Sequence, residues 1–496
     1  MKYISTRGGA FEPVSSAVAI KEGLAYDGGL FMPTDIPTVD RKFIEDLSSL
    51  SYPERAAKTL SLFLTDYTAE ELLSDAKDAY SYDKFDGEFA PVRMLDDRTS
   101  VLELWHGPTC AFKDMALSLM PRLFTRAIKK CDEKRKALIL VATSGDTGKA
   151  ALEGYKNVEG VCLKVFYPTD GVSAMQKLQM QTQEGENLSV AAIRGNFDDA
   201  QNRVKEIFSS EECKAALDNE GYFLSSANSI NFGRLAPQIV YYFSAYVDMC
   251  QSGAITMGEK IDVTVPSGNF GNIFAAFIAK LMGLPIGRLI CASNKNDVLT
   301  EFFKTGRYNR NRQFYATSSP SMDILISSNL ERLLYTLFGA KRCGALMKEL
   351  SEKGEYSLTT KELDTVNRHF LGYSATDDEV SERIRLTFND KKYLIDTHTA
   401  VALVATDKYM REYKAKEKML AVSTASAYKF AHEVLKSIFN VEECAVSAPY
   451  SLEQLTNIKI PDPISELRSK EILHNEIIDK DDMWKSTLEF VRSLKE

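Results

Sequence analysis

A chain of 496 residues is long enough for about three domains at roughly 150 residues each. Its 44 % hydrophobic and 10 % aromatic content excludes wholesale disorder. Charge runs to 61 basic against 69 acidic residues, a net of -8, so no basic surplus is available to neutralise a nucleic-acid backbone or an anionic membrane, and neither is expected as a partner.

The eight cysteines, at 110, 131, 162, 213, 250, 291, 343 and 444, lie 21 to 101 residues apart with no Cys-x-x-Cys pair. That spacing argues against a zinc site or a disulfide framework, so no metal is expected, and it fits reduced thiols in a cytoplasmic protein. The N-terminus lacks the apolar run of a secretory signal, and no stretch approaches the roughly 18 apolar residues of a membrane span.

Residues 1–95 combine a Gly-rich opening (STRGG, DGGLFMP) with helical periodicity over 41–80, where Leu60, Phe63 and Leu64 fall three or four apart. This reads as a mainly helical N-terminal domain. From about 137, apolar runs (ALILVA at 137, VCLKVFYP at 161, LSVAAI at 188) alternate with amphipathic stretches, the pattern of parallel βαβ units. A second series begins with IDVTVP at 261, passes through the helical IFAAFIAKLMG at 273 and reaches RLICAS at 288; YLIDTH at 393 and MLAVSTAS at 419 repeat the strand-then-turn pattern. The stretch 329–390 is charged and helix-patterned, and 451–496 reads as a partly helical tail. No internal repeat is present. The expected fold is α/β, with two doubly wound parallel-sheet lobes and a cleft between them. The expected boundaries are an N-terminal domain over 1–95, a discontinuous large lobe over 96–140 and 235–440, a small lobe over 141–234, and a tail over 441–496.

Open parallel sheets bind ligands at the carboxyl ends of their strands, so the segments leaving those strands are where chemistry is sought. VATSGDTGKAA at 141–151 runs a strand into Ser144, Gly145, Asp146, Thr147 and Gly148 before a helix, and free N–H groups there form an anion cradle. A nucleotide P-loop would need glycine at Thr143 and a hydroxyl at Ala150, so that reading is set aside. An ordinary Gly-rich strand-to-helix turn is the plainer alternative. IDVTVPSGNFGNIFAAF at 261–277 repeats the arrangement with Gly268, Asn269, Phe270, Gly271 and Asn272. It lacks Gly-x-Gly-x-x-Gly, so a monophosphate suits it better than a pyrophosphate. In LELWHGPTCAFKDMALSLMPRLF at 102–124, Lys113 stands at the mouth of an apolar helical pattern. Most lysines are merely solvated, but burial would lower this amine's pKa and make it a nucleophile towards an aldehyde. His106 reads as structural. A lysine and a phosphate cradle together are what pyridoxal 5'-phosphate requires.

With these motifs, the chain resembles the threonine synthases, pyridoxal-phosphate enzymes that make L-threonine from O-phospho-L-homoserine, of the longer subgroup found in fungi and many bacteria. The resemblance is carried by YISTRGG at 3–9, GLAYDGGLFMP at 23–33, HGPTCAFKD at 106–114, TSGDTG at 143–148, SSANSINFGRLAPQ at 225–238, VPSGNFGN at 265–272 and STASAYKF at 423–430. It implies the tryptophan-synthase-β-like fold type II. It further implies that Lys113 holds the cofactor and moves protons, that the amides of Gly268, Asn269, Phe270, Gly271 and Asn272 bind the cofactor phosphate, and that Thr424 meets the pyridine nitrogen. Asp146 is expected beside the cofactor, and Ser144 and Thr147 at the substrate carboxylate, with the division of labour among the three left open. Asn228, Ser229, Asn231 and Arg234 are expected to receive the substrate's phosphate, for which a planar guanidinium is suited. Arg7 lies in a matching motif without an assigned role. The chain departs from the family pattern at Ala427 and Tyr428, where Pro-Ala is expected before Lys429, and 441–496 matches weakly. Monomer and homodimer both stay open.

The implied reaction is a β,γ-replacement releasing phosphate. One rival is another fold-type II lyase, such as a serine or threonine dehydratase or an O-acetylserine sulfhydrylase, which would share Lys113 and the glycine loop but not need Arg234. The other is a non-catalytic sensor of the same fold, which would be expected to have lost the lysine.

Overall fold

The computed structural model describes residues 1–9, 12–169 and 172–495, apart from the side chain of Asp198. The apolar runs form strands because they are buried on both faces, as in Lys136–Ala142, where every residue after the first is buried. Two sheets result. The larger has six strands in the order Phe370–Ser374, Ile286–Ser293, Ile261–Pro266, Lys418–Ser423, Thr99–Glu103 and Val92–Met94. All its pairs are parallel except the last. The smaller has five parallel strands, Glu476–Asp479, Leu188–Arg194, Val161–Pro168, Lys136–Ala142 and Tyr222–Ser225.

The topology positions the site. Ser423 pairs with Glu103, and on its other side the same strand pairs with Ile261–Pro266. Three neighbouring strands therefore release their chains at one carboxyl edge: after Glu103 towards Lys113, after Pro266 into the glycine loop, and after Ser423 into Thr424. This is the crevice where doubly wound sheets take ligands. Behind it runs helix Phe232–Gln251, buried along almost its whole length. Against that helix pack Gly271–Met282 and, from the N-terminal region, Tyr52–Leu60. Tyr3 meets Phe232 edge-on at 4.9 Å. At ~1.5–3 kcal/mol for each large apolar side chain fully buried, this helix joins the N-terminal region to helix Gly271–Met282, which follows the Ile261–Pro266 strand of the larger sheet.

Several expectations are corrected. The boundary at 140/141 falls inside the Lys136–Ala142 strand, and the one at 95/96 divides the hairpin of Val92–Met94 with Thr99–Glu103. Residues 441–496 are not a separate tail. Ile478 pairs with Ile193, and Met483 and Val491 of helix Met483–Ser493 are fully buried in the core of the small sheet. The physical reason is that Leu188–Arg194 would otherwise present a bare sheet edge. YLIDTH at 393 is not a strand. Asp396 there accepts the N–H groups of His398 (2.9 Å) and Thr399 (3.0 Å) and caps helix Thr397–Tyr413, as a short acidic side chain does at an N-cap. Within 329–390 the helices Leu330–Lys353, Thr360–Asn367 and Asp377–Lys391 are interrupted by strand Phe370–Ser374, which closes one edge of the large sheet.

Candidate active site

Lys113 is fixed by the turn before it. Cys110 takes a left-handed φ of 56°, and Asp114 accepts both the N–H (2.9 Å) and the hydroxyl (2.6 Å) of Thr109. A Cβ at Gly107 would come within 2.5 Å of Asp114, so only glycine allows this closure. Phe112 N–H donates to the carbonyl of Thr424 at 2.8 Å, binding the lysine's segment to the loop after the neighbouring strand. The ammonium of Lys113 lies 5.2 Å from the Phe112 ring and 3.4 Å from Oδ2 of Asp146. Burial pushes this amine below its ordinary pKa; Asp146 works against the shift, while Lys429 and Arg234 add to it.

The loop 143–148 is held from within. The Thr143 hydroxyl accepts the N–H groups of Gly145 (3.0 Å) and Gly148 (2.9 Å), and Gly145 has φ 139°, with Gln176 2.4 Å from where a Cβ would sit. Thr143 is therefore a tether for the turn before helix Asp146–Tyr155. Ser144 and Thr147 face the cleft. Across it, Phe270 takes a left-handed φ of 63° and starts helix Gly271–Met282, whose first N–H groups have no intrahelical acceptor. A side chain at Gly268 would press within 3.3 Å of the backbone of Ser321 and Met322. Asn272 is held by two phenols: Tyr241 donates to its Oδ1 at 2.7 Å and Tyr242 at 2.5 Å. Its buried Nδ2 has no partner.

Lys113, Ser144, Thr147, Asn228, Ser229, Arg234, the five residues 268–272 and Thr424 line one cavity of about 840 Å³. Arg234 is its unusual member. It is 3 % exposed, Nη1 donates to the Ala227 carbonyl at 2.9 Å, and among the described residues Nε has no acceptor. Burial lowers its pKa to about 10. A buried guanidinium without a carboxylate is costly unless an anion joins it. The cavity thus holds three places for anions, the helix start at Gly271, the turn of Ser144 and Thr147 into helix Asp146–Tyr155 and the Arg234 wall, with a depressed amine between the loops. Asn272 Nδ2, the glycine backbone, Lys113 and the neutral Thr424 fit a phosphorylated aldehyde cofactor.

Two expected site residues stand elsewhere. Asn231 does not line the cavity; it caps helix Phe232–Gln251, with Oδ1 accepting Gly233 N–H (2.8 Å) and Nδ2 donating to the carbonyls of Ile20 (2.9 Å) and Ser226 (3.1 Å). Its amide is spent on backbone, and its place before a helix is a capping signal readable in the sequence. Asp146 sits behind Lys113. Its Oδ1 meets Lys429 at 2.7 Å and accepts Gln176 Nε2 at 2.9 Å, and its Oδ2 accepts the Ser321 hydroxyl at 3.2 Å. Burial pushes this carboxyl up, but Lys429, Lys113 and the hydrogen bonds outweigh it and hold it well below the usual range. Lys429, Gln176, Ser321 and His398 are the residues that motif reasoning missed. Ser321 N–H donates to Nε2 of His398 at 3.2 Å, and Nδ1 of that ring faces Asp396 at 2.7 Å. The departures at Ala427 and Tyr428 form a short 3-10 turn, Ala427–Phe430, that leaves Lys429 fully buried.

The geometry has counterparts. Residues 2–80 match the family model for the threonine synthase N terminus, and residues 101–425 match that for pyridoxal-phosphate dependent enzymes. The threonine synthase of Saccharomyces cerevisiae is 34 % identical over 96 % of this chain and 97 % of its own, and that of Pseudomonas aeruginosa is 37 % identical over 88 % and 90 %. Threonine synthase-like 1 of Homo sapiens is 40 % identical over 88 % of this chain, which spans 60 % of that relative's length. Among solved structures, pyridoxal-phosphate-bound threonine synthase from Brucella melitensis superposes with a TM-score of 0.86 at 35 % identity, over 100 % of this chain and 99 % of its own. Yeast threonine synthase does so at 0.87 and 32 %, over 99 % of both.

Proposed function

Because the chain belongs to the threonine synthase family of fold-type II pyridoxal-phosphate-dependent enzymes, we propose that it is a lyase converting O-phospho-L-homoserine and water to L-threonine and phosphate. The observation that carries this reading is Arg234, a buried cation with an unpartnered Nε in the cavity that also holds Lys113 and the glycine loop. A lyase whose amino-acid substrate has no phosphate needs two anion sites, for the cofactor phosphate and the substrate carboxylate. Arg234 offers this cavity a third.

When bound, pyridoxal phosphate supplies an aldehyde for amines and a conjugated ring that accepts the electron pair left at Cα. Everything else falls to the chain. The N–H groups of residues 268–272 and Asn272 Nδ2 hold the cofactor phosphate, and Thr424 offers the ring nitrogen a neutral hydroxyl. Ser144 and Thr147, at the start of helix Asp146–Tyr155, orient the substrate carboxylate. Arg234, with Asn228 and Ser229, holds the substrate phosphate and stabilises it as it leaves Cγ. Lys113, cycling between amine and ammonium, takes the protons from Cα and Cβ, returns one at Cγ and, once water has added its hydroxyl at Cβ, returns the other at Cα; the remaining proton of the water leaves with the phosphate. The balance is one water consumed and one phosphate released.

The test is to assay phosphate and threonine against keto acid with O-phospho-L-homoserine and with serine. Stoichiometric phosphate and threonine support the reading; keto acid from serine would assign the chain to the dehydratases instead. A cytoplasmic location belongs to the same proposal, supported by eight unpaired thiols, five of them buried. Among the described residues no helix is long and apolar enough to cross a membrane.

The tyrosine pair supplies a further check. Replacing both Tyr241 and Tyr242 by Phe frees the Asn272 amide to turn its oxygen towards the phosphate. Two hydrogen bonds at about 1 kcal/mol each predict a 10- to 100-fold weaker hold on the cofactor, roughly. Spectroscopic titration of pyridoxal phosphate measures it, and unchanged affinity would show that the tyrosines do not orient Asn272.

A further inference from the structure

Behind the amine of Lys113 lies a second lysine. Lys429 is 1 % exposed, and its ammonium meets Oδ1 of Asp146 at 2.7 Å and the Thr109 carbonyl at 3.0 Å. Lys113 reaches the other oxygen of the same carboxylate, at 3.4 Å. One buried carboxylate thus stands between two buried amines and is shared unequally: the closer oxygen is taken by Lys429 and Gln176, and the farther one is left to Lys113 and the Ser321 hydroxyl. The arrangement is rigid, because Asp146 opens a helix, Lys429 sits in a 3-10 turn and Ser321 is pinned through its N–H to His398.

We propose that Lys429 is a positioning residue that keeps Lys113 reactive: by taking the closer oxygen of Asp146 it denies Lys113 a tight counter-ion. The inference rests on the reading above, in which Lys113 is the reacting amine. The charged groups facing Lys113 are Asp146 from helix Asp146–Tyr155, Lys429 from its turn and Arg234 from helix Phe232–Gln251. Lys429 also faces Cys110, before Lys113, and Asp114, after it. With Lys113 protonated beside Lys429 and Arg234, two further cations would face an amine whose neighbouring carboxylate is Asp146. Shedding the Lys113 proton relieves that excess, and the burial of Lys113 favours it. Without Lys429, one repulsion disappears and Asp146 is left to Lys113 alone, so a protonated Lys113 becomes the stable form.

The experiment measures, against pH, the rate at which pyridoxal phosphate condenses with the full chain and kcat/KM of the reconstituted enzyme. Lys429→Met is expected to raise the midpoint of both profiles by about one pH unit, which is about a tenfold loss at neutral pH that recovers as pH rises. Lys429→Arg, which keeps the charge, should match the parent chain. Asp146→Asn added to Lys429→Met should bring the midpoint back down. Lys429→Gln keeps a donor to Asp146 without the charge; it should shift upwards too, and it serves if the methionine variant does not fold. A uniform loss at every pH, or no return in the double variant, overturns the proposal and leaves Lys429 a packing residue. Borohydride fixation of the cofactor on the parent chain separates the two readings. Label on a residue other than Lys113 sinks the parent reading, whereas label on Lys113 with an unmoved midpoint in Lys429→Met sinks this proposal alone.

Discussion

Lys113→Ala is expected to lower turnover by about 10⁴-fold or more while leaving the fold intact, because it removes both the nucleophilic amine and the group that moves protons at three carbons. The fold survives because Lys113 contributes little to it. Its ammonium has one long polar contact, 3.4 Å to Asp146, and that carboxylate keeps Lys429 at 2.7 Å and Gln176 at 2.9 Å. Removing a buried amine also removes its desolvation cost, so stability should change by no more than about 1 kcal/mol. The cofactor cradle at 268–272 is untouched, so pyridoxal phosphate should still bind, but borohydride should no longer fix it to the chain. The measurements are kcat, the urea midpoint and retained label after reduction. Full activity in this variant would show that another residue does the work, and loss of cooperative unfolding would show that Lys113 is structural.

Arg234→Met is expected to act in opposite directions on activity and stability. With the phosphorylated substrate, losing two charge-assisted hydrogen bonds at about 1.5–3 kcal/mol each predicts a fall in kcat/KM of roughly 10² to 10⁴. Without ligand the variant should be more stable than the parent, by about 1–3 kcal/mol, because a desolvated guanidinium with no carboxylate is replaced by an apolar side chain of similar length. The parent residue is 3 % exposed, with burial lowering its pKa to about 10, and among the described residues only the Ala227 carbonyl accepts from it. Such a residue makes sense where an anion arrives. Steady-state kinetics and urea unfolding without ligand test both halves. Unchanged kcat/KM would remove Arg234 from the phosphate site, and a large loss of stability would show that the guanidinium supports the fold.

The sequence by itself determined those features whose physics is local. A glycine-rich turn entering a helix presents free amides wherever it lies, so 143–148 and 268–272 were legible as cradles before any contact was known. Buried strands read as apolar runs because both faces of a parallel strand are covered, which placed Lys136–Ala142, Val161–Pro168 and Ile261–Pro266. Lys113 stood out as a candidate through its motif, and it lines the cavity. Three readings failed where a short apolar segment had no local mark of its state. YLIDTH became a capped helix start, FLGYS at 370–374 became an edge strand, and Glu476–Asp479 with helix Met483–Ser493 joined the small sheet, while Ala448, Leu452, Ile460, Ile464 and Leu467 packed into the core beside the large one. Tertiary structure alone decided the electrostatics. Lys429 is one basic residue among 61 in the sequence; it matters because folding buries it at 2.7 Å from a carboxylate that also faces Lys113. Burial and pairing belong to elements brought together from far along the chain. They decide which of two lysines is free to lose its proton, and no local pattern encodes them.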